Sequence, residues 1–468
     1  MTAPTGSRLG AENLGKGYGS PLARDGGDFS IHPAKVMVGI NEGTSGRPLR
    51  PRDRRTRRPI PGQWARRMSL RQETGLQAQD RSQSSGSIDS SRPQRGQARL
   101  AAIDGLRLVA AVMVAGYHYL GTPIPHFWGE IELRDLAPFL HEISRYGWLG
   151  VEFFFIISGF VICMSCWGRT PAQFTVSRIS RLFPAYWCTV LLVVVLVLAA
   201  RMGHWPAATR IDPRTVLGNL TMVPGPLGLE LVSGVSWTLW VEARFYLLMA
   251  VLLISGLSYR RMVAFCGAWL LAGVIALEVH STLLNEFVLS RYTGLFVAGI
   301  VLHLMRRFGQ NLMLWLLLGF AWCYELTVLE FRVADHVTTS SSEGRPSWAV
   351  CATILTLCLG LLALAGVGPL AGLQWRWLVT AGGLTYPFYL VHQSVGIPLA
   401  KGLIKAVPGL GLFPSMAVSV ICMLGRAALI YKRVEHRFGR LLRHRLTLDV
   451  HLQDLAPKQA FTARGSAR

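Results

Sequence analysis

The chain has 468 residues, of which 51% are hydrophobic and only 16% charged, with a mean hydropathy of +0.35. A soluble domain carries about a quarter charged residues. Runs such as 186–200 (YWCTVLLVVVLVLAA), 262–277 and 311–322 lack the polar face that a soluble helical core would need. Composition therefore excludes an ordinary soluble protein. The net charge is +22, and residues 1–99 supply +10 of it, from 18 Lys/Arg against 8 Asp/Glu.

Residues 1–99 are rich in Gly, Ser, Pro, Arg and Gln and have no sustained apolar period. Such a segment cannot bury enough surface to offset the entropy of ordering, so 1–99 is expected to be a disordered basic cytoplasmic tail. Its PRDRRTRRP run at 51–59 reads as a solvated stretch that reinforces orientation, with anionic lipid or nucleic acid as alternative partners. No specific nucleic-acid binding is expected. Initiation at Met68 is an alternative start, and no signal-peptide pattern opens the chain.

From residue 100 the apolar runs predict an all-α integral membrane protein of about ten transmembrane helices. They fall near 101–121, 147–167, 183–201, 235–255, 262–280, 289–305, 311–329, 347–366, 376–397 and 411–431, each close to the ~20 residues a bilayer requires. The connections 168–182, 256–261 and 306–310 and the tail after 431 are basic, through Arg169, Arg178, Arg181, Arg260, Arg261, Arg306, Arg307, Lys432, Arg433, Arg437, Arg440, Arg443 and Arg445. The positive-inside rule then places both termini in the cytoplasm of a multi-pass cell-membrane protein. A domain over 100–446 and a flexible tail over 447–468 complete the organisation. The eight cysteines lie in or beside apolar runs, and Cys163-x-x-Cys166, with no second pair, reads as small buried residues.

Ionisable residues at membrane depth cost several kcal/mol unless something compensates them. The expected spans contain Asp104, Arg107 and His118, then Glu152, then Glu242 and Arg244, then His392. Arg107 and His118, eleven residues apart, share one helix face about 16 Å apart along the axis. His118, Glu152, Glu242 and His392 fall at a similar depth on four helices, which points to one buried polar site. The alternative for Glu152 or Glu242 is simple neutralisation by Arg244 or Arg107. No paired-ligand spacing for a metal exists, nor a Walker loop or G-x-S-x-G elbow. A histidine with a carboxylate partner can deprotonate a hydroxyl, while an arginine can hold phosphates or an oxyanion. Arg169, Arg178 and Arg181 lie where a phosphorylated donor would arrive from the cytoplasm, although orientation alone also accounts for them.

Five motifs in order then resemble the acyltransferase-3 family of membrane O-acyltransferases. They are IDGLRLVAAVMVAGYHY at 103–119, with Arg107 and His118 in the family's Arg-x10-His spacing, GVEFFFIISGFVI at 150–162, SRISRLFPAYW at 177–187, SWTLWVEARFYLL at 236–248, and LTYPFYLVHQ at 384–393 followed by Tyr431 to Glu435. The resemblance implies transfer of an acyl group, commonly acetyl, from acyl-CoA to a hydroxyl of a carbohydrate, polysaccharide or glycosylated metabolite. Acyl-CoA, most simply acetyl-CoA, is then a co-substrate and no permanently bound cofactor is expected. The resemblance makes Arg107 and His118 the essential pair, with His118 as general base. It makes Glu242 the acid of its block and Arg178 and Arg181 the donor contacts, with Arg169 beside them. Glu152, Ser158 and His392 complete the expected pocket. Ala243 and Arg244 depart from the usual second acid after Glu242, and Glu435-His436-Arg437 departs from Glu-Arg-Pro. The resemblance is to members without an SGNH-hydrolase domain. The rival class is a proton-coupled transporter or exporter, but the internal repeat it predicts is not found.

Overall fold

In the computed structural model, residues 100–124, 126–202, 212–338, 345–435 and 441 are described. The chain divides into units 1–93 and 94–468, and every described element belongs to the second. The expected tail at 1–99, the Met68 start, the 447–468 tail and the basic residues Arg437, Arg440, Arg443 and Arg445 lie outside the described residues.

The described fold is a helix bundle. Its helices are α1 (Ala101–Leu120), α2 (Leu133–Leu136), α3 (Pro138–Ser144), α4 (Leu149–Cys166), α5 (Pro171–Met202), α6 (Pro213–Leu220), α7 (Trp237–Ile254) and α8 (Tyr259–Val279). There follow α9 (Thr282–Val288), α10 (Thr293–Phe308), α11 (Leu312–Thr338), α12 (Trp348–Gly366), α13 (Arg376–Val391), α14 (Ile397–Ala406) and α15 (Leu412–Leu429). Among the described residues, nine helical segments are long and apolar enough to cross a bilayer. All nine correspond to expected spans.

The expected span at 376–397 is the exception. It is helical, as α13 running through a π turn at His392–Gly396 into α14, but it is not among the nine. Its sequence explains this. Arg376, Thr380, Thr385, Pro387, His392, Gln393 and Ser394 dilute the apolar content, and Pro387 removes one backbone donor inside the helix. Most of its lower half is nonetheless buried, packed against α1 and α15. The helix is polar because it is an inner wall.

α10 is the axis of the bundle. Every residue from Thr293 to Met305 is buried, and the helix packs against α4 and α11. Close approach to α4 depends on two glycines: a Cβ on Gly159 would lie 2.2 Å from the Phe296 carbonyl oxygen, and one on Gly299 2.0 Å from that of Ile156. Small residues at such crossings let helices meet where lipid supplies no hydrophobic drive. Phe245 of α7 stacks on Phe296 with ring centroids 4.2 Å apart, fixing α7 on the same axis. α1 crosses α4 in the same manner, with Gly150 against the Ala110 carbonyl. The two helices run antiparallel, so the N-terminal end of α1 lies towards the end of α4 and the start of α5.

Candidate active site

Arg107 of α1, Ser158 of α4, Glu242 of α7 and Thr385 and Tyr389 of α13 line one cavity of about 60 Å³. The Ser158 hydroxyl donates to Glu242 Oε1 at 2.8 Å, and Tyr246 lies close enough to the Glu242 carboxylate to interact with it electrostatically. Arg107 is within electrostatic range of Arg181, Asp104, Glu242 and Tyr246. Arg178 sits over the Phe174 and Tyr246 rings at 5.8 and 5.9 Å. Arg169 and Arg178 both donate to the Ser177 hydroxyl at 3.3 Å.

Among the described residues, none of Arg107, Arg169, Arg178 and Arg181 forms an ion pair with a carboxylate. The four guanidinium groups thus lie near two acids, Asp104 and Glu242, and among the described residues Glu242 touches none of them within pairing distance. A cluster so lightly compensated is a ready counter-charge for phosphates, which arginine recognises through a planar fork of donors.

His118, at the other end of the α1 stripe, has different neighbours. Its ring lies 5.3 Å from that of His392, and its Nδ1 is 3.4 Å from Gln393 Nε2. No carboxylate contacts it among the described residues; Glu242 faces the arginine end instead. The carboxylate partner expected for the histidine is replaced by an imidazole and an amide.

His392 is 1% exposed. Its Nδ1 lies 2.7 Å from the Tyr389 carbonyl, which can only accept, so Nδ1 carries the proton in the neutral ring. Nε2 is then the acceptor nitrogen, and it is buried without a hydrogen-bond partner among the described residues. The π turn accounts for this arrangement. Adjacent residues of an α-helix diverge by about 100°, yet His392 and Gln393 both reach His118. Single π turns often mark such sites.

The two ends are linked through Tyr389. Its hydroxyl bonds Thr238 at 3.0 Å, its side chain lines the cavity, and its backbone carbonyl holds His392. Arg107, Glu242, Ser158, Arg178, Arg181, Arg169, His118 and His392 therefore form one continuous polar seam. It has an arginine end and a histidine end.

Glu152 does not join it. Its Oε1 lies 3.2 Å from Arg332 Nε, and Arg332 also pairs with Glu325. All three are at most 5% exposed. Glu152, expected in the pocket, is instead paired with Arg332 rather than with the alternative partners Arg107 or Arg244, and Arg244 pairs with Glu286. Nor do the four ionisable groups at similar depth share one site. Depth fixes the level of a residue but not the direction in which it faces.

Sequence reasoning did not single out Gln393, Tyr389, Thr238 or Tyr246. All four stand inside the quoted motifs, but neutral side chains give no signal of the kind that charge at membrane depth does.

The acyltransferase-3 family model, described as an acyltransferase domain, matches residues 100–431. The chain belongs to this family. It is 26% identical over 324 residues to Acyltransferase MdmB of Streptomyces mycarofaciens, covering 64% of this chain and 79% of that one. It is 30% identical over 320 residues to Exopolysaccharide production protein ExoZ of Rhizobium meliloti, covering 64% and 92%. Nodulation protein 10 of Rhizobium leguminosarum bv. viciae is 31% identical over 204 residues, covering 36% of this chain and 50% of its own. No solved structure matches. The protein is a multi-pass membrane acyltransferase, transferring groups other than aminoacyl groups, and the polar seam crosses its matched domain.

Proposed function

We propose that this acyltransferase moves an acyl group, most simply acetyl, from acyl-CoA to a hydroxyl of a carbohydrate or glycosylated compound. The observation that carries the reading is the asymmetry of the seam. Four guanidinium groups that form no ion pair among the described residues stand at one end and a base-capable histidine pair at the other, about 16 Å away along α1. An extended donor suits that separation, with phosphates at Arg107, Arg169, Arg178 and Arg181 and its thioester reaching towards His118. Because Arg107 is a full 16 Å stripe from His118, it serves as donor anchor rather than as the oxyanion partner of the same reacting carbon.

In this reading His118 removes the proton from the acceptor hydroxyl, whose oxygen attacks the thioester carbonyl. The C–S bond breaks, CoA leaves as thiolate, and the proton on His118 returns to the sulfur. His392 lies against His118 as its partner ring, and Gln393 orients it. The ester and free CoA are the products. The carbohydrate acceptor rests on the similarity to ExoZ, whose name ties it to exopolysaccharide production. Basic connections around Arg169, Arg260 and Arg306 argue for a cytoplasmic arginine end and cytoplasmic termini.

The test uses membranes of cells making the full chain, supplied with acetyl-CoA labelled in the acetyl group. The expected result is label in alkali-labile ester linkage on the glycan or glycoside fraction, with one CoA released per ester. Release of CoA with no label in that fraction contradicts the carbohydrate acceptor, and no turnover of acetyl-CoA contradicts the donor.

A further inference from the structure

The cavity at Glu242 is too small for a sugar. Its roughly 60 Å³ holds a few waters, whose share of liquid volume is about 30 Å³ each. A larger groove of about 620 Å³ runs between α1, α13 and α15, but its walls are almost wholly carbon, from Leu108, Val112, Phe388, Val420 and Leu424 among others. Such a surface suits lipid chains and offers a hydroxyl-rich ring nothing to bond.

The segment after α1 carries a third cavity, of about 390 Å³, with a predominantly polar wall. That volume lies within the roughly 300–1,000 Å³ usual for small-molecule sites. Phe127 and Trp128 supply aromatic faces, and Glu132, Arg134, Asp135 and His141 supply planar polar groups. Arg134 and Asp135 are exposed and have no partner among the described residues.

The pocket is built onto the last turn of α1, where the helix leaves carbonyls without internal partners. Thr122 donates to the carbonyl of His118 itself at 3.0 Å. Trp128 Nε1 donates to the Tyr119 carbonyl at 3.1 Å, and His141 Nδ1 to the Leu120 carbonyl at 2.7 Å. Three of its lining residues thus hold the end of the helix that carries His118. The pocket begins one helical turn beyond His118, at the end of α1 opposite to Arg107. The Lys401 ammonium, 4.0 Å from the Phe127 ring centroid, fixes that ring from the α14 side.

We infer that this pocket binds a sugar ring of the acceptor and presents one of its hydroxyls to His118. The inference rests on the carbohydrate reading above and adds where the sugar lies. A pyranose has apolar C–H faces and a belt of hydroxyls. Aromatic planes beside carboxylate, guanidinium and imidazole edges match both, whereas an anionic donor has its counter-charges at the other end of the seam.

Two variants test it in the full-length protein in membranes. Arg134→Ala/Asp135→Asn removes two exposed charges whose side chains have no partner among the described residues. Ile124→Trp adds bulk at an exposed lining position (53% accessible) without touching the bundle. Labelled acetyl-CoA is held fixed while the glycan fraction, extracted from cells lacking this protein, is titrated as acceptor, and the converse titration follows. The expected result is a rise of about tenfold or more in the acceptor concentration for half-maximal transfer, with the half-saturating acetyl-CoA concentration within about twofold of wild type. Wild-type acceptor saturation in both variants overturns the assignment. So does an equal rise for acetyl-CoA, which would make the pocket part of the donor path. Absence of transfer to the glycan fraction by the wild-type protein would instead sink the underlying carbohydrate reading.

Discussion

Arg332 and Arg107 both carry a guanidinium inside the bundle, yet their surroundings are opposite. Arg332 lies between Glu152 and Glu325, and all three are at most 5% exposed. Arg107 lines a cavity, has a second guanidinium, Arg181, within electrostatic range, and shares the cavity with an acid, Glu242, that accepts from Ser158. In the first cluster the guanidinium is paired with two acids of the protein itself. The second has no carboxylate in ion-pair contact among the described residues, which is why the donor phosphates are proposed to bind there. Charge at membrane depth alone does not mark function, so the proposal rests on the arginines that lack an ion pair among the described residues, one of which lines a cavity.

That contrast can be broken by exchanging the two outcomes. Arg107→Ala is expected to lower acyl transfer by two to three orders of magnitude, the usual size for losing a key charge contact, with the amount of membrane-inserted protein unchanged. Steady-state assays alongside immunoblots of the membrane fraction check it. Comparable activity in the variant would mean that Arg107 is structural after all. Arg332→Ala should do the reverse by leaving two buried carboxylates unpaired. A cost of about 3–5 kcal/mol would appear as a lower melting temperature and less detergent-stable protein, while the molecules that remain folded keep their donor affinity. A well-folded, inactive Arg332 variant would instead join that cluster to the site. Ser158→Ala, which removes one hydrogen bond to Glu242, is expected to cost about tenfold in transfer or less. A loss as large as that of Arg107→Ala would give Ser158 a direct chemical role.

The bundle itself was legible because uninterrupted apolar runs have few other uses, and nine of the ten expected spans are long apolar helices. The tenth escaped that test because α13 is an inner wall with Thr385, Pro387 and His392 on it. At the site, the Arg107–His118 stripe could be read from helix periodicity, and Ser158 and Glu242 from their motifs. The partner of Glu152 could not. The expected span ended at residue 329, leaving Arg332 in a loop, but α11 continues to Thr338. The approach of Gln393 to His118 was equally hidden, since it depends on a π turn that no apolar period announces.

His118 is where the seam, the family motif and the proposed proton transfer meet. The most direct measurement is therefore acyl transfer from labelled acetyl-CoA by His118→Ala, compared with wild type at equal amounts of membrane-inserted protein. The account predicts that ester formation falls to background while the variant retains saturable acetyl-CoA binding at the arginine end. Ester formation at the wild-type rate would contradict it.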